Sequence, residues 1–102
     1  MREVTSSELR HAVERQHGGV ARFVGVEPVS ETFEGRPVWQ GLVQVFDLAG
    51  HPTATRAYAW SSPIEGSTKR RFYAVLHVPL PTSSPADAVR AAIVEEYRRG
   101  KL

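Results

Sequence analysis

PVWQGLVQVFDL, residues 37–48, is the stretch on which the fold turns. Its residues alternate between two sets, Trp39, Gly41, Val43 and Val45 on one side and Val38, Gln40, Leu42, Gln44 and Phe46 on the other. That two-residue period, rich in β-branched and aromatic side chains, predicts a strand. Runs of the same kind lie near 20–33, 54–60 and 70–79. Between them stand Glu34-Gly35-Arg36, Ala49-Gly50-His51-Pro52 and a loop from Ser61 to Thr68. Connections this short join sequential neighbours, so the four runs predict an antiparallel meander. Pro28 interrupts the first run and cannot donate to a ladder, which places that strand at an edge or at a bulge.

A helix is expected on each side of the meander. At the first, Thr5 caps, Glu8 sits three residues later as its capping-box partner, and Val4 staples onto Leu9. Leu9, Ala12 and Val13 share one face, and Gly18-Gly19 supplies the stop, giving a helix from about Ser6 to His17. The second starts at Ser84 as cap, with Pro85 at the first helical position and Asp87 completing the box. Val89, Ala92, Ile93 and Tyr97 recur at helical spacing, and Arg98, Arg99 and Lys101 complement the dipole at its end. The predicted architecture is one α+β domain over residues 1–102, ordered α-β-β-β-β-α, its four-stranded, mostly antiparallel sheet carrying both helices on one face.

The helix-covered face is expected to hold Trp39, Gly41, Val43, Val45, Ala57, Ala59, Phe72, Ala74, Leu76 and Val78, small enough for close approach. The opposite face then collects Arg22, Val24, Val26 and the even set of 37–48 with Arg56, Tyr58, Trp60, Arg71, Tyr73, Val75 and His77. It is too apolar for water alone, and aromatic groups beside cations commonly meet a partner. A second copy of the chain, or another protein, is the expected occupant. Phe72 to Val78 supports association as well, being a seven-residue β-prone run without formal charge on an expected edge. The alternative is RNA or single-stranded DNA, stacked on Tyr58, Trp60 and Tyr73 with Lys69, Arg70 and Arg71 on phosphates. The helix–strands–helix order is similar in topology to the double-stranded-RNA-binding fold. That fold meets phosphates at a Lys-rich start of its last helix, whereas Ser84-Pro85-Ala86-Asp87-Ala88 is neutral to acidic, and no family is recognised at the residue level.

Composition bounds the rest. The 102 residues suit one domain, and 41% hydrophobic with 24% charged residues are ordinary globular values. The net charge is +2, but residues 1–51 carry five basic and seven acidic side chains while residues 52–102 carry eight and four. This asymmetry permits an acidic partner without requiring one. With no cysteine, disulfide scaffolds, thiolate metal sites and thiol nucleophiles are set aside, and a cytoplasmic location without membrane insertion is expected.

No catalytic constellation is legible. Asp47 and His51 are four apart across a turn, where Asp, Gly, His and Pro are what turn formation itself selects. The serines lie in caps and loops without the glycines of a nucleophile elbow, and neither Gly18-Gly19 nor Gly25 belongs to a phosphate-binding signature. The expectation is a non-catalytic interaction module, with no cofactor and no metal.

Overall fold

The computed structural model describes residues 5–64, 66–78, 82 and 84–98. Its order is α1 (Ser6–His17), β1 (Val20–Phe33), β2 (Arg36–Ala49), β3 (Arg56–Pro63), β4 (Arg70–Leu76) and α2 (Pro85–Arg98). The strands form one antiparallel sheet in sequence order, β1-β2-β3-β4. An α+β chain with a four-stranded meander is therefore what these residues build.

The local signals act as the sequence predicts. The Thr5 hydroxyl accepts from the Glu8 N–H at 3.2 Å, and the Gly18 N–H closes α1 on Glu14 O at 2.8 Å. Ser84 Oγ accepts from the Asp87 N–H at 3.2 Å and so caps α2. Val4, Arg99 and Lys101, expected to staple α1 and to close α2, lie outside the described residues, and nothing is described of the Tyr97 side chain. β1 and β2 meet through Glu34-Gly35 with φ of 53° and 79°, the left-handed pair that a two-residue hairpin turn demands. Gly19 is also left-handed, at φ 78°, and a Cβ there would stand 2.6 Å from Ala49 O. Only glycine lets the chain leave α1 and run directly beside the end of β2.

The helices do not share a face, which corrects the expectation that both pack on one side. Leu9 and Val13 of α1 pack with Ala21, Phe46, Leu48, Ala57, Ala59 and Ala74. Ala88 and Val89 of α2 pack with Val29, Val43, Tyr58 and Trp60, flanked by Trp39, Val45, Tyr73 and Val75. Positions 57 and 59 alternate with 58 and 60, so the two clusters lie on opposite sides of the sheet. The division within β3 and β4 agrees with the sequence pattern, but the side of β2 assigned to each was inverted. Val45 stands opposite Tyr58, and Phe46 opposite Ala57, so odd residues of β2 share a face with even residues of β3. The intervening turn fixes that register: Leu48 N–H donates to Thr55 O at 2.8 Å, and His51 Nδ1 accepts from the amides of Thr53 and Ala54 at 3.1 and 3.0 Å. A one-residue difference in such a connection exchanges the faces.

β1 serves both faces because it is bulged. Phe23 pairs with Phe46 and Gly25 with Val45, so Val24 is inserted without an opposite residue. Before the insertion, Ala21 faces α1; beyond it, the odd residue Val29 faces α2. The extra residue inverts the alternation of one continuous strand.

Candidate interaction site

The expected docking face is a core. Tyr58 and Trp60 are each only 2% exposed, and burial of rings this size stabilises the fold by roughly 1.5–3 kcal/mol each. Trp60 stacks on Tyr73 with centroids 5.1 Å apart and planes 8° apart, while Trp39 lies 6.0 Å from Trp60 and donates through Nε1 to Ser62 Oγ at 2.8 Å. These rings cannot receive a base or a partner's side chain while α2 covers them. Around them the polar groups are satisfied internally. Tyr58 hydroxyl and His77 Nδ1 are 2.6 Å apart, and Tyr73 donates to the Glu96 carboxylate, which also lies 3.8 Å from Arg71. Burial holds both phenols above their ordinary pKa; Arg56 opposes this at Tyr58, whereas the Glu96 hydrogen bond reinforces it at Tyr73.

The basic triplet is divided as well. Arg70 donates to Ser61 Oγ at 2.8 Å and to Ser61 O at 3.3 Å, Arg71 turns to Glu96, and Lys69 is exposed at a loop end. Asp47 and His51 do not converge either. Asp47 sits between Arg22 and Arg56 at 3.0 and 3.3 Å, and His51 organises its own turn. Among the described residues no group of three His, Asp or Glu side chains is placed to hold a metal ion.

The fourth-strand edge is occupied rather than open. His77 N–H donates to Arg56 O at 2.9 Å, which directs odd residues of β4 at β3 and even ones outward. The outward carbonyls of Phe72 and Ala74 accept from Gln16 Nε2 at 3.4 Å and His17 Nε2 at 2.6 Å, both from α1. His17, the last residue of α1, thus crosses to guard this strand.

What stays uncovered is the distal part of the β1–β2 hairpin, on the α1 side beyond the reach of α1. Three facing pairs make it: Val26 with Gln44, Pro28 with Leu42, and Ser30 with Gln40. None of the six carries a charge, and Val26 and Leu42 are 48% and 63% exposed. The bulge residue Val24 extends the apolar surface at one end and Val38, beside a second register shift, at the other. The other side of the same hairpin lies against α2, tied there by Arg90 to Glu31 at 2.9 Å. Sequence reasoning placed Val26 and Leu42 on a surface with Tyr58 and Trp60; the β2–β3 register separates Leu42 from them, and the bulge, of which Gly25 inside a strand was the available sign, separates Val26.

Beside this face β2 and β3 part company. Their ladder ends at Gln44–Ala59, although both strands continue. A cleft of about 530 Å3 follows, walled by Val38, Trp39 and Gln40 on one side and Ser62, Pro63 and Ile64 on the other, with Trp60, Tyr73 and α2 beneath. The chain matches no protein-family model, no curated protein and no solved structure.

Proposed function

We propose that the protein is a non-catalytic interaction module that associates with a second copy of itself through the uncharged side of the β1–β2 hairpin. The observation that carries this reading is the run of six facing positions, Val26, Pro28, Ser30, Gln40, Leu42 and Gln44, without a formal charge on a chain that is 24% charged. A neutral face meets its own two-fold image without like-charge repulsion. Nucleic acid would need cations there, and this face supplies none. The earlier candidates Arg56 and His77 keep rim positions on the opposite side of the sheet and contribute nothing to this contact.

Sedimentation velocity over a concentration series tests the reading. The wild-type chain is expected to form a dimer, Leu42→Asp a monomer with an unchanged circular dichroism spectrum, and Val20→Asp a dimer, because Val20 is 67% exposed but lies at the other end of the hairpin. A wild-type chain that stays monomeric at millimolar concentration overturns it.

A further inference from the structure

Among the described residues, the strand margins that face open space are each interrupted, save one. Odd residues of β2 pair with odd residues of β1 beyond the bulge, so the even residues of β1 point outward there, and one of them is Pro28, which has no N–H to offer. The outer margin of β4 is held by Gln16 and His17. Within the cleft, β3 turns its odd residues toward β2: Ser61 O is held by Arg70, and position 63 is proline. This explains why the β2–β3 ladder stops.

The exception is β2. Leu48 N–H reaches toward β3, so even residues of β2 direct N–H and C=O to that side, and beyond Gln44 these are Leu42, next to the end of the ladder, and Gln40, which lines the cleft. Val38, Trp39 and Gln40 all line the cleft although successive strand residues point to opposite faces, and so do Ser62, Pro63 and Ile64. A space lined by consecutive residues of two strands lies between their margins, not on either face. Backbone donors and acceptors at strand spacing, aimed into a space of that shape, match the backbone of another strand.

From this geometry we infer that the cleft is a strand-addition site, in which an extended, uncharged peptide pairs with Gln40 and Leu42 of β2. Alternate side chains of the peptide rest on Trp39 or emerge on the opposite face beside Gln40, and the two charged residues of the lining, Arg71 and Glu96, face each other at 3.8 Å. The peptide hydrogen-bonds to β2 alone, since Pro63 and the Arg70–Ser61 contact deny it the other wall. This site does not depend on self-association.

The test uses acetyl-Thr-Val-Thr-Val-Thr-amide as probe and the full chain as host, wild type and Val26→Asp, the latter keeping the cleft uncovered if the wild type dimerises. Both tryptophans of the chain line the cleft, so peptide at millimolar concentration is expected to change their emission. Hydrogen exchange at the Gln40 and Leu42 amides is expected to slow about tenfold. Two N-methylated peptides complete the test: methylation of the Val amides or of the Thr amides is expected to abolish binding in one case and spare it in the other, because a strand offers alternate amides to each side. Absence of any change with the parent peptide in the Val26→Asp host overturns the inference. Equal binding of both methylated peptides overturns it too, and loss with both overturns the single-sided pairing.

Discussion

The two halves of the sheet are built on different terms. In the proximal half, where β2, β3 and β4 are fully paired, α1 covers one face and α2 the other, and the outer margin of β4 is closed by Gln16 and His17. In the distal half, β1 and β2 continue as a two-stranded ribbon with α2 on one face and nothing on the other among the described residues. A ribbon alone is marginal in water. The contrast teaches that stability is concentrated in one half and exposed apolar surface in the other, so substitutions should separate the two cleanly.

The largest effect is expected from Trp60→Ala, which opens the α2 core and should cost about 3–5 kcal/mol in urea denaturation, whereas Leu42→Ala should change monomer stability by less than about 0.5 kcal/mol. Equal losses at the two sites would erase the division. Gly41→Ala comes next. A Cβ there would stand 2.9 Å from the Trp39 ring, which is fixed by Trp60 and Ser62, so a loss of about 1–3 kcal/mol is expected. The change should also alter tryptophan emission, and an unaltered spectrum would show that Trp39 does not anchor the ribbon. Gln44→Met should move in the opposite direction. Gln44 Oε1 is buried without a hydrogen-bond partner among the described residues, and its replacement should raise stability by about 1 kcal/mol where the two halves meet.

The last effect is nil at neutral pH. Folding raises the ionisation of Tyr58 and Tyr73 above the ordinary phenol value of 10.0. Above pH 10 the unfolded chain releases these protons first, so stability is present below that pH and declines as pH rises through and beyond it. Absorbance at 295 nm should show both phenols titrating late, together with loss of the α2-side core; early titration of either would mean that α2 does not seal the proximal half.

How much of this could be read beforehand follows from the range of the forces involved. Thr5, Gly18 and Ser84 act within one helical turn, and each marks the terminus that the sequence predicts. The strands are legible for the same reason, since alternation is local. Facing is not local. Whether Trp39 lies with Ala57 or with Tyr58 depends on the length of the turn around His51, and whether Val29 joins Ala21 depends on Val24 being skipped. Both are single-residue matters that decide the side of the sheet for every residue beyond them. The candidate site inherited that difficulty: Tyr58, Trp60, Tyr73 and Val75 were correctly grouped with one another, yet the group lies under a helix. Gln16 and His17 guarding β4, and Pro63 ending a ladder, are long-range consequences with no signature in their own neighbourhoods.

Val24 works on the strand as an added base works on a reading frame. Upstream and downstream of it the same chain obeys opposite parity, which lets one strand answer to α1 with its first third and to α2 with the remainder. Pairing this one residue instead of skipping it would turn Val29 to the α1 side and bring Pro28 into the pairing, so the identity of the surface the hairpin offers is stored less in which side chains it carries than in a single step of phase.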